Sequence, residues 1–177
     1  MLGRSVRART RAPGSPWRFP HNFREGIGVY SVDETTLADP MKAKTKKPIE
    51  KAILAKAAEL LSTIDASYVQ DGDFVLQVHA MDETSKAMKH TDDEDISFQY
   101  GIGLGDYSGG ELITWSSDGI EQPPINLRNQ FVKLDGRLPH MVTPVTSGIR
   151  YAVYYYKLYD RRITEPQPVF EPATVVQ

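Results

Sequence analysis

From Asp73 to Lys157 the chain runs as short apolar-rich stretches cut by small turn dipeptides, and that texture limits its fold more than any other feature. Phe74–Ala80, Ile96–Leu104, Glu111–Trp115, Gln130–Leu134, Met141–Val145 and Tyr151–Lys157 are the expected strands. Asp71-Gly72, Asp118-Gly119, Asp135-Gly136 and Ser147-Gly148 punctuate them. Many short strands at near-regular spacing favour a sandwich or barrel. Upstream, Gly28–Val32 alternates apolar with polar residues and reads as one more strand. A single helix is expected over about 48–65: Pro48 suits a first helical turn, and Ile49, Ile53, Leu54, Ala57, Leu60, Leu61 and Ile64 recur at helical spacing. Such a helix packs on the outside of a sheet, so the expected class is mixed and mainly β.

At 177 residues the chain is most simply one domain, about 28–158, between a basic segment at 1–27 and a polar, proline-bearing tail at 159–177. The first 24 residues hold Arg4, Arg7, Arg9, Arg11, Arg18 and Arg24 and no acid. They read as a disordered basic tail, with an organelle-targeting segment or a nucleic-acid-binding arm as alternatives. Pro13, Pro16 and Pro20 oppose the continuous amphipathic helix that targeting favours, while Trp17 and Phe19 are placed to tuck back onto the domain. The lysines of the 42–47 loop read as a solvated face. A net charge of −2 gives no overall pull toward nucleic acid or anionic membrane. Without cysteine there is no disulfide or thiolate metal site. No apolar run approaches the ~20 residues that span a bilayer. The expectation is a soluble or peripheral protein.

Chemistry-bearing residues concentrate between His90 and Arg150. On a strand, residues two apart share a face roughly 7 Å apart, so His90 and Asp92 aim at one point. If His140 reaches that point from a facing strand, two imidazoles and a carboxylate occupy one side of a metal and leave the opposite positions open. Arg150 then offers a fixed cationic fork suited to a carboxylate. Each feature has a plainer reading. His-x-Asp is common by chance, Asp93, Glu94 and Asp95 make an acidic loop, and an isolated arginine is ordinarily a surface ion pair. His21 and His79 are the remaining histidines; His79 and Asp82, three apart, point to opposite strand faces and would pair only in a helical turn. Tyr151, Tyr154, Tyr155 and Tyr156 are expected mainly to pack, and Trp115 is a candidate for the site mouth.

In combination, His90-x-Asp92, Gly109-Gly110-Glu111-Leu112, the Asp135-Gly136 turn before His140, and Pro144 with Gly148-x-Arg150-Tyr151 resemble the Fe(II)- and 2-oxoglutarate-dependent dioxygenases, of the prolyl-hydroxylase-like or nucleobase-oxygenase-like branches. The match covers about residues 73–157. It implies a double-stranded β-helix, the jelly roll of two facing sheets, with at least one flanking helix. It further implies Fe(II) on His90, Asp92 and His140, and the far carboxylate of 2-oxoglutarate on Arg150. Hydroxylation of a protein side chain, nucleobase or small molecule would accompany conversion of 2-oxoglutarate to succinate, with ascorbate as a stimulant. Ala152 departs from the serine or threonine that some members place two residues after the arginine; a tyrosine is the expected substitute contact. The alternative from another class is a non-catalytic jelly-roll binding module with a vestigial or structural metal site.

Overall fold

A computed structural model describes residues 29–32, 48–70, 74–85, 87–157 and 168–176, with 29–32 and 48–51 described by their backbone alone. The expectations on the arginine-rich start, Trp17, Phe19, His21, the lysine loop and the 159–167 part of the tail lie outside the described residues. In chain order the elements are β1 (Val29–Val32), α1 (Pro48–Ser62), α2 (Ala66–Gln70), β2 (Phe74–Met81), β3 (Ala87–His90), β4 (Gln99–Leu104), β5 (Tyr107–Gly109), β6 (Leu112–Thr114), β7 (Phe131–Leu134), β8 (His140–Val142), β9 (Val145–Gly148), β10 (Arg150–Tyr156) and β11 (Thr174–Val176). The described helices include none long and apolar enough to cross a membrane.

The strands form a six-stranded sheet ordered β1-β2-β10-β4-β7-β11, a three-stranded sheet β3-β8-β6 and a two-stranded pair β5-β9. Every ladder between these strands is antiparallel. Strand alternation sorts the large sheet's side chains into two layers. Phe74, Leu76 and Val78 of β2, Tyr100 and Ile102 of β4, Phe131 of β7, and Val153 and Tyr155 of β10 pack with Leu54, Ala57 and Leu61 of α1. Those helical positions fall three and four apart, one stripe facing the sheet. The Tyr155 hydroxyl, fully buried, donates to the Ala57 carbonyl at 2.8 Å and ties helix to sheet. On the opposite face Val132 and Leu134 of β7 meet Leu112 of β6, Val142 of β8 and Leu127. Helices outside and a smaller sheet inside give the mainly β, jelly-roll architecture.

Four details differ from the sequence reading. The helical region is split: α1 ends at Ser62, and Asp65 restarts the helix by accepting the Tyr68 N–H at 2.9 Å, as an N-cap does. β5 is a short strand ahead of the expected Glu111–Trp115 strand, and the expected Met141–Val145 strand is broken into β8 and β9, with positive φ at Gly109 and Gly148 where β5 and β9 end. β3 stops at His90, so Asp92 lies in the loop that follows and not on the strand. Finally, the segment expected as a loose tail contributes β11, which pairs with β7 through Thr174↔Lys133, Val175↔Val132 and Val176↔Phe131.

Candidate metal centre

His90 and His140 sit directly opposite one another in the β3–β8 ladder, which carries an irregularity between Ala87 and His90. Their rings lie 4.0 Å apart between centroids, inclined at 64°. His140 Nε2 is 3.6 Å from Asp92 Oδ2, and one donor atom from each of the three residues lies within 4.8 Å of the others. The structure thus brings together the three side chains singled out in the sequence, though for a different reason at Asp92. Period-two strand geometry does not deliver that carboxylate. A backbone hydrogen bond does: the Asp92 N–H donates to the Gly136 carbonyl at 2.7 Å, docking the loop after β3 onto the turn before β8.

Both imidazoles are oriented in the same way. His90 Nδ1 lies 2.6 Å from the Met88 carbonyl and His140 Nδ1 lies 2.9 Å from the Leu138 carbonyl. A carbonyl only accepts, so each Nδ1 carries the proton and each Nε2 carries the lone pair. Gln99, on the inner face of β4, donates through Nε2 to Asp92 Oδ2 at 3.2 Å. Two imidazole nitrogens and a steadied carboxylate oxygen are a donor set suited to a divalent metal. Beside it the Asp95 carboxyl is pushed up to about 8, first by burial and then by the negative charges of Asp92 and Asp135. Burial also opposes ionisation of Asp135, but hydrogen bonds from Arg137 and the Phe170 N–H outweigh it and hold that carboxyl below its usual range. Thr114, the cross-strand partner of His140, keeps a buried hydroxyl without a hydrogen-bond partner.

Arg150 occupies the inner face of β10, since Val153 and Tyr155 face the helices. It is 0% exposed. Its guanidinium meets Met81 Sδ at 3.2 Å and the Tyr154 hydroxyl at 3.2 Å, while Nε has no acceptor. Among the described residues no carboxylate pairs with it. The Tyr107 hydroxyl is likewise buried and unpartnered, and it adjoins the same guanidinium at Gly103. Two glycines make the room: a Cβ on Gly103 would overlap the Tyr107 hydroxyl and approach Arg150 Nε to 3.4 Å, and one on Gly110, at φ +69°, would meet Arg150 Cδ at 2.9 Å. A buried cation without a counter-ion is unfavourable by several kcal/mol, a deficit that a bound anion removes.

His79 lies on the inner face of β2 as the cross-strand partner of Ala152, its ring edge-on to Tyr154 at 6.1 Å. Burial, then the Arg150 charge, lowers it to about 4. Between pH 6.5 and about 4 the unfolded chain therefore binds the extra proton and the folded chain does not, so this histidine weakens the fold as the solution is acidified. The loss is at most about 3 kcal/mol. We expect His79→Gln to flatten the fall in melting temperature over that window; an unaltered acid limb would place the sensitivity elsewhere. Asp82, three residues on, accepts from the Thr84 N–H and hydroxyl and from Ser85. Trp115 bears the Lys89 ammonium on its ring at 3.6 Å and lines a crevice with Phe170 and Pro172. Of the tyrosines, Tyr155 is core, Tyr151 is exposed and Tyr154 reaches Arg150. Gln99, Tyr107 and Thr114 went unnoticed in the sequence. Alternation from Tyr100 and Ile102 could have put Gln99 and Gly103 on the inner face, but nothing marks Tyr107 or Thr114.

No family model matches the chain, and no curated protein matches it in sequence. Solved structures do. A rice dioxygenase for auxin oxidation is 15% identical, with 80% of this chain and 62% of that one covered at a TM-score of 0.50. An oxidoreductase of the 2OG-Fe(II) oxygenase family from Burkholderia pseudomallei is 19% identical over 63% and 59%, TM-score 0.44. A Pseudomonas putida prolyl-4-hydroxylase is 16% identical over 66% and 68%, TM-score 0.44. The chain spans 59–68% of the length of these structures. The rice enzyme carries the comparison, and what it establishes is the fold. In that fold, with His90, Asp92 and His140 gathered on one side of it, the chain resembles the Fe(II)- and 2-oxoglutarate-dependent dioxygenases.

Proposed function

We propose that the chain is an Fe(II)- and 2-oxoglutarate-dependent dioxygenase that hydroxylates its substrate. One observation carries the reading: a fully buried arginine without a carboxylate partner among the described residues shares the inner face of the large sheet with Gln99, which steadies a His–Asp–His cluster. The residues fit both groups. His90, Asp92 and His140 would hold the metal, and the orphaned Nε of Arg150, cradled between Gly103 and Gly110, would receive the far carboxylate of the oxoacid. When bound, the metal and 2-oxoglutarate supply oxygen activation coupled to decarboxylation of the oxoacid to succinate.

The chain's own part is placement. The two Nδ1–carbonyl bonds fix which nitrogen each imidazole presents, and Gln99 restrains the rotation of Asp92. Arg150 supplies charge and a planar fork. Ala152 has no hydroxyl to add, and Tyr154 and Tyr107 hold theirs at the guanidinium instead. Leu112, Leu127, Val132, Leu134 and Val142 keep water from the space between the sheets. No protein acid or base is required of this arrangement.

The purified chain with Fe(II), ascorbate and 2-oxoglutarate is expected to form succinate slowly even without substrate, and faster with a peptide, nucleobase or metabolite that fits. Metal binding with no succinate under any of these conditions would favour a non-catalytic binding module.

A further inference from the structure

We infer that Asp135 is a positioning residue for the metal centre, clasped from outside by the segment 168–176. The inference rests on the metal-binding reading above. Five consecutive residues, 135–139, bring the donors together. The Gly136 carbonyl accepts the Asp92 N–H at 2.7 Å, and the Leu138 carbonyl lies 2.9 Å from His140 Nδ1. One short turn therefore sets the position of one proposed ligand and the ring orientation of another. Gly136 is also pressed against Asp92: a Cβ there would overlap Gln99 Nε2 and come within 3.0 Å of Asp92 Oδ2.

The Asp135 carboxylate, 4% exposed as a residue, holds the turn in shape. Its Oδ1 accepts from Arg137 N–H at 3.1 Å and Arg137 Nε at 2.8 Å. Its Oδ2 accepts from Arg137 Nη2 at 2.6 Å and from the Phe170 N–H at 2.8 Å. Arg137 Nη2 reaches on to the Pro168 carbonyl at 3.2 Å. Beyond it, Glu171 accepts the Ser117 N–H, and β11 anchors the segment to β7. All four donors at Asp135 need an acceptor on both oxygens, which asparagine cannot provide. A turn released from this clasp shifts Asp92 and the His140 ring together, and outer-shell losses of this kind weaken metal binding about 10–100-fold.

The test uses the full chain and its Asp135→Asn and Arg137→Lys variants. Mn(II) affinity is measured by calorimetry and the coordination geometry by the visible spectrum of the Co(II)-loaded protein, with near-ultraviolet circular dichroism as the fold control. The expected result is a 10–100-fold weaker Mn(II) affinity for Asp135→Asn, a smaller loss for Arg137→Lys, and altered Co(II) bands even at saturation. A folded Asp135→Asn with parental affinity and spectrum overturns the inference and leaves the metal site standing. If that variant does not fold, Arg137→Lys decides: weaker binding supports the clasp, and parental binding overturns it. A parental chain that binds neither ion removes the site itself.

Discussion

Replacing Arg150 with methionine should make the unliganded protein more stable and its 2-oxoglutarate response vanish. The two effects share one cause. The guanidinium is wholly buried among Met81, Tyr154, Tyr107 and two glycines, and no carboxylate among the described residues balances it. Substituting an apolar side chain of similar length for a buried, poorly compensated charge is commonly neutral or stabilising by about 1–4 kcal/mol. Thermal melting in the absence of ligand should thus rise by several degrees. The same change removes the partner for an incoming carboxylate. Losing one member of a buried charge pair weakens binding by about 2–5 kcal/mol, or roughly 30- to several-thousand-fold. The thermal shift that saturating 2-oxoglutarate gives the parent should therefore be absent. Should the variant melt lower and still respond to 2-oxoglutarate, Arg150 is a structural cation and the co-substrate sits elsewhere.

Asp92→Ala and His140→Ala should each abolish divalent-metal binding and all succinate formation while leaving the fold in place. His90, Asp92 and His140 lie outside both apolar clusters, so truncation opens no cavity in either. Asp92 provides the one anionic donor, and without it two neutral imidazoles hold a divalent cation weakly. Mn(II) calorimetry would register a loss of more than about a hundredfold, above the range for outer-shell changes. Turnover retained in either variant would reassign the ligands.

The global pattern was legible in this sequence because the burial pattern repeats with the period of the strands. Val153 and Tyr155 face one way while Arg150, Ala152 and Tyr154 face the other, and no long-range information is needed to see it. The histidine pair was legible for a different reason: of the chain's four histidines, only His90 and His140 fall within the combination of motifs that resembles the dioxygenases. What stayed hidden depends on contacts distant in sequence. Asp92 is placed by a carbonyl forty-four residues away, at Gly136. Tyr107 matters only because Gly103 leaves space for its hydroxyl. β11 looks like any polar, proline-bearing ending until it is seen to complete the edge beside β7, where three residues suffice.

That last strand also bears on solubility. Among the described residues the large sheet ends on β1 and β11, of four and three residues, and edges so short offer few backbone groups in a row to a neighbouring chain. Behind β11 stands Phe131–Leu134, three apolar residues and a lysine whose outer ladder groups are already occupied. Peeling away the final residues would bare that row as a sticky margin, and self-association would follow from the same pairing rules that now finish the sheet.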